Sequence, residues 1–285
     1  MEPLRERIQQ IKERRPIYRD LVDFYGRIRE EQEKIKGSLK VDPILPTKEL
    51  KDLLAEEGFP LLQREEFPLD LGACITLFQT LCRIAKDANP HMSEQVPKIE
   101  EALGEKGGDL KELMKEILKN RKRKIERISK KFGLDEKVLL FLIENSTKPS
   151  IEAGMETISK GLEPTSWFKG ICPICGSLPS LSLLEEESGK RSLVCSFCGY
   201  QWGTERLLCP FCNNREAGSL HYFYAEGEES CRIDVCEKCR HYIKTFDLRK
   251  RGVSDPSLED VATLHLDILA SQKGYQRAVP SPWGS

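Results

Sequence analysis

Eight of the eleven cysteines in this chain fall into four Cys-x-x-Cys pairs: Cys172/Cys175, Cys195/Cys198, Cys209/Cys212 and Cys236/Cys239. Two thiolates offered from one tight turn are half of a tetrahedral sulfur site, whose ligands lie about 2.3 Å from the ion. Such a turn also aims backbone N–H groups at the sulfurs. It closes more easily when the residue after the second cysteine tolerates positive φ. Gly176 and Gly199 follow the first two pairs and Asn213 the third, while Arg240, a poorer fit, follows the fourth.

Spacing suggests how the pairs combine. Nineteen residues separate Cys175 from Cys195 and twenty-three separate Cys212 from Cys236, within or just beyond the range of ribbon-type sites. Only ten lie between Cys198 and Cys209. Pairing in chain order is simplest: Cys172, Cys175, Cys195 and Cys198 around one ion, and Cys209, Cys212, Cys236 and Cys239 around a second. GYQWGTERLL is then the bridge between two tandem modules. Nested and interleaved pairings remain open. Free or redox cysteines fit poorly, because a thioredoxin-like pair opens a helix in a βαβ setting and nothing of that kind surrounds these pairs. Four cysteine ligands leave no open position for hydrolytic chemistry. Zinc and iron both suit tetrahedral sulfur, and spacing does not choose between them. A turn-dominated segment of this size has little core of its own. A structural zinc site supplies about 10–16 kcal/mol of apparent binding energy, comparable with the whole stability of a domain, about 5–15 kcal/mol.

These pairs must be carried by the rest of the chain. Of the 285 residues, 39% are apolar and 32% charged, enough for a core beneath a heavily charged surface. The formal net charge of −1 lacks the basic excess of a nucleic-acid binder. The N-terminus has no apolar signal core, and no apolar run approaches the roughly 18 residues of a membrane span. A soluble, cytoplasmic protein is expected, with no nucleic-acid partner and no membrane span.

Residues 1–165 read as an all-α domain. DLKELMKEILKN puts Leu110, Leu113, Met114, Ile117 and Leu118 on one helical stripe, and LDLGACITLFQTLCRIAKDA is apolar nearly all round, as a central helix would be. LDEKVLLFLIEN is a further amphipathic segment, and Pro- or Gly-bearing breaks fall at VDPILPTKEL, EEGFPLL, ANPHM and EKGGD. After EPTSWFKG the texture changes to short apolar runs, turns and paired cysteines, with RSLVC, RLLC, SLHYFYAE and HYIKTF as brief strands. A C-terminal helix follows in SLEDVATLHLDILASQKG, with Ser257 as N-cap, Asp260 completing a capping box, and Val261, Leu264, Ile268 and Leu269 as its buried stripe. The fold class is therefore α+β. The expected boundaries are a helical domain at 1–165, metal modules at 166–204 and 205–250, and a helix and tail at 251–285.

Other reactive residues have plainer readings. Cys74 and Cys82 read as small core residues of one helix, and Cys231 as strand packing. His265 reads as a satisfied core histidine, and His221 and His241 are not needed as ligands. The basic run KNRKRKIERISKK reads as a solvated helix face, with a partner-binding patch second. Trp167, Trp202, Tyr222 and Tyr242 are expected to cover the metal sites. Lys190, Arg191, Arg206, Arg232 and Lys238 lie near the ligands, where they could offset thiolate charge, though solvated surface suits most of them. There is no Gly-rich phosphate loop and no Ser/His/Asp set, so no enzymatic activity is expected.

The segments WFKGICPICGSLPSLSLL, GKRSLVCSFCGYQWGTERLLCPFC, HYFY, CEKCRHYIKTFD and LEDVATLHLDILASQKGYQR occur in that order. Together they resemble the formate dehydrogenase accessory protein FdhE family, specifically over residues 167–277 and more loosely over the helical first half. The resemblance implies a cytoplasmic, non-enzymatic factor needed for formate dehydrogenase activity that associates with the catalytic subunit. It further implies a helical N-terminal part followed by two rubredoxin-like modules, with iron in sites formed by the eight paired cysteines. Homo-oligomerisation is left open. A nucleic-acid-binding zinc ribbon and a rubredoxin-like electron carrier are the alternative readings.

Overall fold

The computed structural model describes residues 4–44, 46–104, 108–119, 123–160, 162, 167, 169–251 and 255–281. Within them lie helices α1 (Leu4–Arg14), α2 (Arg19–Lys36), α3 (Lys48–Glu56), α4 (Leu71–Lys86), α5 (Pro90–Gly104), α6 (Gly108–Leu118), α7 (Arg123–Phe132) and α8 (Glu136–Ser159). Strands β1 (Pro179–Leu184), β2 (Arg191–Cys195), β3 (Gln201–Thr204), β4 (Leu220–Tyr224), β5 (Cys231–Cys236) and β6 (His241–Asp247) follow. The chain continues through α9 (Leu248–Arg251), α10 (Pro256–Val261), α11 (Leu264–Gln272) and β7 (Gln276–Arg277). These elements form two compact units. One comprises Asp23–Leu45 and Leu62–Lys160, and the other Met1–Val22, Pro46–Leu61 and Gly161–Ser285.

The first of these units is helical. α4 packs against α8 and α5, burying Cys74, Leu77, Phe78, Leu81 and Cys82. Asp70 caps α4 by accepting from the Ala73 N–H at 3.0 Å, and Asp135 caps α8 by accepting from the Lys137 N–H at 2.8 Å. The stripe expected on α6 is buried throughout, from Leu110 to Leu118. α7 buries Ile125, Ile128 and Ser129 and turns Arg127, Lys130 and Lys131 to solvent, so the basic run is a solvated face there. Residues 120–122 of that run, and 105–107 of the expected break at EKGGD, lie outside the described residues.

α8 continues through Pro149. A proline inside a helix removes the N–H that would reach the carbonyl four residues back, here that of Asn145. The buried Gln32 side chain of α2 donates to that carbonyl instead, at 2.7 Å. The tertiary partner replaces a backbone bond the sequence forbids.

In the other unit a single sheet runs β3-β2-β1-β6-β5-β4, with β7 beside the start of β6. Each half has the same plan, in which a cysteine pair, two antiparallel strands, a second pair and a third strand follow one another. The halves meet where β1 pairs parallel with β6, from Leu181↔Lys244 to Leu184↔Asp247. The two tandem modules are therefore one continuous sheet. Residues expected to bridge them form β3, and the RLLC stretch expected as a strand is a turn leading into Cys209. Its apolar residues read as strand, but Leu207 points to solvent and, among the described residues, no strand pairs with the stretch. One face of the sheet packs Leu183, Ile233, Val235 and Phe246 against Leu266 and Ala270 of α11.

The expected single C-terminal helix is two. Asp255 caps α10, accepting from the Ser257 and Leu258 N–H groups at 2.9 and 3.2 Å, so Ser257 is not the cap. The helix breaks at Ala262–Thr263, where the fully buried Lys244 ammonium takes the carbonyls of Asp260 and Thr263 at 3.0 and 3.4 Å. Asp260 is no capping-box acid. It and Asp267 ion-pair with Lys244, at 2.5 and 2.8 Å, and with Arg277, at 2.9 and 3.2 Å. The Tyr242 hydroxyl donates to Asp267 at 2.7 Å. Leu266, Asp267 and Ala270 are buried on α11, whereas Ile268, expected in the core, is exposed. Burial alone would raise the Asp260 carboxyl, yet Lys244 and Arg277 hold it below the usual carboxylate value.

α1 is fastened to this C-terminal hairpin. Arg14 pairs with Glu259 at 2.9 Å, Arg15 with Glu228 at 2.8 Å, and Arg15 donates to the Ala262 carbonyl at 2.7 Å. His265 is half-buried, not a core residue. The Tyr18 hydroxyl lies 2.9 Å from its Nδ1 and Glu228 lies 3.1 Å from its Nε2.

Two substitutions test this account. Gln32→Leu strands the Asn145 carbonyl and should destabilise the helical unit by about 1–3 kcal/mol, read by urea unfolding. Lys244→Met removes one partner of a buried charge cluster and should cost about 3–5 kcal/mol. In the parent protein the Asp260 contribution is complete above the ordinary aspartate value of about 3.9 and is lost as pH falls through its lower native value. Thermal melts between neutral and acid pH should therefore converge for parent and variant at the acid end.

Candidate metal centres

Each cysteine pair sits in the same kind of turn. The N–H of the residue after the second cysteine donates to the carbonyl of the first: Gly176 to Cys172 at 2.9 Å, Gly199 to Cys195 at 3.3 Å, Asn213 to Cys209 at 2.9 Å and Arg240 to Cys236 at 2.9 Å. That geometry puts all four followers in the left-handed region, with φ of 69°, 75°, 57° and 58°. Two glycines and an asparagine take it easily. Arg240, the poorer fit, is held there by its surroundings. Its guanidinium stacks 4.2 Å from the Tyr275 ring centroid, donates to the Lys273 carbonyl at 3.2 Å and pairs with Glu237.

The strands bring the turns together in chain order. Sγ atoms of Cys172, Cys175, Cys195 and Cys198 all lie within 4.8 Å of one another, as do those of Cys209, Cys212, Cys236 and Cys239. In the first group Cys172–Cys198, Cys175–Cys195 and Cys175–Cys198 are 3.7, 3.4 and 3.7 Å apart. In the second, Cys209–Cys239 and Cys212–Cys236 are 3.6 and 3.7 Å apart. Disulfide sulfurs would be about 2.05 Å apart, whereas four sulfurs at tetrahedral positions about 2.3 Å from an ion stand about 3.8 Å apart. Each group could hold one metal ion, and the donor set suits zinc or iron.

Electrostatics point the same way. In the first group burial pushes Cys172 and Cys198 well up, while hydrogen bonds from the neighbouring thiols hold Cys175 down. In the second, burial pushes Cys209 up and Cys239 up to about 11. Burial also opposes ionisation of Cys236, but the Cys239 N–H, the Asn214 amide and the Lys238 N–H bring it down to about 7. Neither protein environment stabilises four thiolates at once, and a cation at the centre would.

The other candidates are elsewhere. Cys231 is fully buried in the sheet core. Cys74 and Cys82 are core residues of α4, pushed by burial up to about 11 and about 12. His221 and His241 belong to neither sulfur group. Of the four aromatics, Trp167, Trp202 and Tyr242 are buried, but Tyr222 is exposed, so it does not serve as a cover. Its ring instead receives the Arg232 guanidinium at 4.5 Å.

Arg191 is the residue that sequence reasoning undervalued. It is buried, and its Nε donates to Ser182 Oγ at 3.0 Å and its Nη1 to the Leu208 carbonyl at 2.7 Å. Its Nη2 lies 3.5 Å from Asp234. It thus links β1, the turn entering Cys209 and β5, stapling the two halves of the sheet. The period-two pattern Arg191, Leu193, Cys195 was the available signal, since it puts Arg191 on the covered face of its strand. A close approach adds to this junction: a Cβ on the buried Gly170 would sit 1.9 Å from the Pro210 carbonyl oxygen, inside the third cysteine turn.

Comparison with known proteins agrees with this geometry. Residues 171–206 match the family model described as FdhE, central domain, and residues 207–283 match FdhE, C-terminal domain. An FdhE homolog from Aquifex aeolicus (strain VF5) is 30% identical over 274 residues, covering 94% of this chain and 90% of that protein. A homolog from Stutzerimonas stutzeri (strain A1501) is 33% identical over 115 residues, 39% of this chain and 37% of that one. The crystal structure of the FdhE protein from Pseudomonas aeruginosa shares the fold, with a TM-score of 0.70 at 22% identity over 98% of this chain and 93% of that chain. With its two four-cysteine groups on one sheet and a relative matched over nearly its whole length, the chain belongs to the FdhE family.

Proposed function

We propose that this protein is a non-enzymatic accessory factor for formate dehydrogenase. It binds the catalytic subunit through the metal-stabilised sheet unit and acts in the cytoplasm. Cys172, Cys175, Cys195 and Cys198 hold one metal ion, and Cys209, Cys212, Cys236 and Cys239 hold a second. The observation that carries the reading is the pair of four-sulfur groups, each on turns that satisfy their own backbone and leave no ligand position for a substrate. Iron is the metal favoured by family resemblance, and zinc fits the same sulfurs. Bound metal contributes cohesion, because the sheet between the cysteine turns is built of short strands.

The test is anaerobic purification followed by metal analysis, together with co-purification of a formate dehydrogenase catalytic subunit. About two ions per chain and a client band are expected. A metal-free, fully folded protein would overturn the metal assignment, and absence of the client from every pull-down would overturn the accessory role. Chelation should collapse the near-ultraviolet signal of Trp202 and Tyr242 while leaving most helical signal intact. Formate turnover by the isolated chain would contradict the non-enzymatic reading.

A further inference from the structure

The two sulfur groups are built alike but covered differently. Cys172, Cys175, Cys195 and Cys198 are 0%, 6%, 4% and 0% exposed. Pro60 and Leu61, which belong to the sheet unit, seal their turn. Leu61 donates its N–H to the Pro173 carbonyl at 3.0 Å, and Pro60 lies against Gly176, close enough that a Cβ there would meet its ring at 3.2 Å. Trp167 adds a lid beside the first pair, its indole N–H donating to the Ile171 carbonyl at 2.7 Å.

In the second group only Cys209 and Cys236 are buried. Cys212 is exposed and Cys239 half-buried. Asn213, next in the turn, is exposed as well. A cavity of about 290 Å³ also lies beside this group, lined by Cys209, Phe211, Cys236 and His241 together with Arg206 and Arg232. Solvent therefore meets this group at Cys212, whereas among the described residues no ligand of the first group is exposed.

We infer that the two centres divide their work: the first is a closed structural clamp, and the second is an exchangeable centre that opens at Cys212. Its incoming ligands are small thiol or chelating donors. Exchange is a ligand substitution. A donor atom would take a coordination position as the Cys212 thiolate leaves, and the freed sulfur would take up the proton given up by an incoming thiol, or one from solvent, with no change of oxidation state. Ligand loss costs least at Cys212, because solvent is already there to receive the sulfur. In the first centre the departing thiolate would stay in an apolar, water-excluding space.

This inference rests on the metal assignment proposed above, and the experiment separates the two. Zinc-loaded full-length protein is mixed with a chromogenic zinc chelator and release is followed in time, while a parallel sample is pulsed with iodoacetamide and mapped by mass spectrometry. In the alkylation, Sγ displaces iodide from the reagent's methylene carbon. Two phases of one equivalent each are expected, differing at least about tenfold in rate, with Cys212 and then Cys239 modified before any ligand of the first centre. Cys212→Ser should abolish the early labelling at that position and remove only the fast equivalent of zinc. Release of both equivalents at one rate, or first labelling at Cys172, Cys175, Cys195 or Cys198, overturns the division while leaving two metal sites standing. Protein that cannot be loaded with zinc or iron at all overturns the metal assignment and this inference with it. The labelling map of the parent protein decides the matter even if the variant does not fold.

Discussion

Four thiolates crowded within 4.8 Å repel one another, and each is costly to bury. That constraint organises the sheet unit. A cation at the centre would relieve the repulsion, and the turns relieve part of it by directing N–H groups at sulfur, as Phe197 and Cys198 do toward Cys195, both at 3.4 Å. The turns in turn require left-handed backbone at four fixed positions. Strand lengths follow, because β1–β2 and β4–β5 are the hairpins that return the chain from one turn to the next.

Duplication of this plan explains the sheet. The third strand of the second half lies beside the first strand of the first half, so the two halves repeat in the same sense rather than facing each other across a twofold. Burying that junction brings charged residues inward, and the molecule answers with compensated clusters. Arg191 finds Ser182, Leu208 and Asp234, and Lys244 finds Asp260, Thr263 and Asp267. Such clusters fix geometry more than they add stability. Here Lys244 sets where α10 ends and α11 begins, and the same hairpin receives α1 through Arg14 and Arg15.

Much of this was legible from residue order, and the rest had identifiable reasons for being hidden. The α6 stripe, the central α4 and the start of α8 follow from periodicity and caps, which are local. The RLLC stretch misled because apolar content looks the same in a strand and in a turn wedged between two sheet halves. Ile268 misled because a continuous helix was assumed, and the break at Thr263 rotates the following residues relative to the preceding ones. Arg240 looked unsuitable because its left-handed φ is supported by Tyr275 and Lys273, more than thirty residues later.

The division follows the range of the forces. Cysteine spacing and the residue after each pair are short-range facts, since a turn closes within five residues, and they were enough to specify eight sulfurs on four turns, as helical periodicity was for the region before them. The order of strands, the fusion of two modules into one sheet, the burial of Lys244, and the unequal covering of the two sulfur groups depend on contacts between residues tens to hundreds of positions apart. Such contacts are chosen by which surfaces fit and which charges find partners once the chain has closed, and no local pattern of residues encodes them.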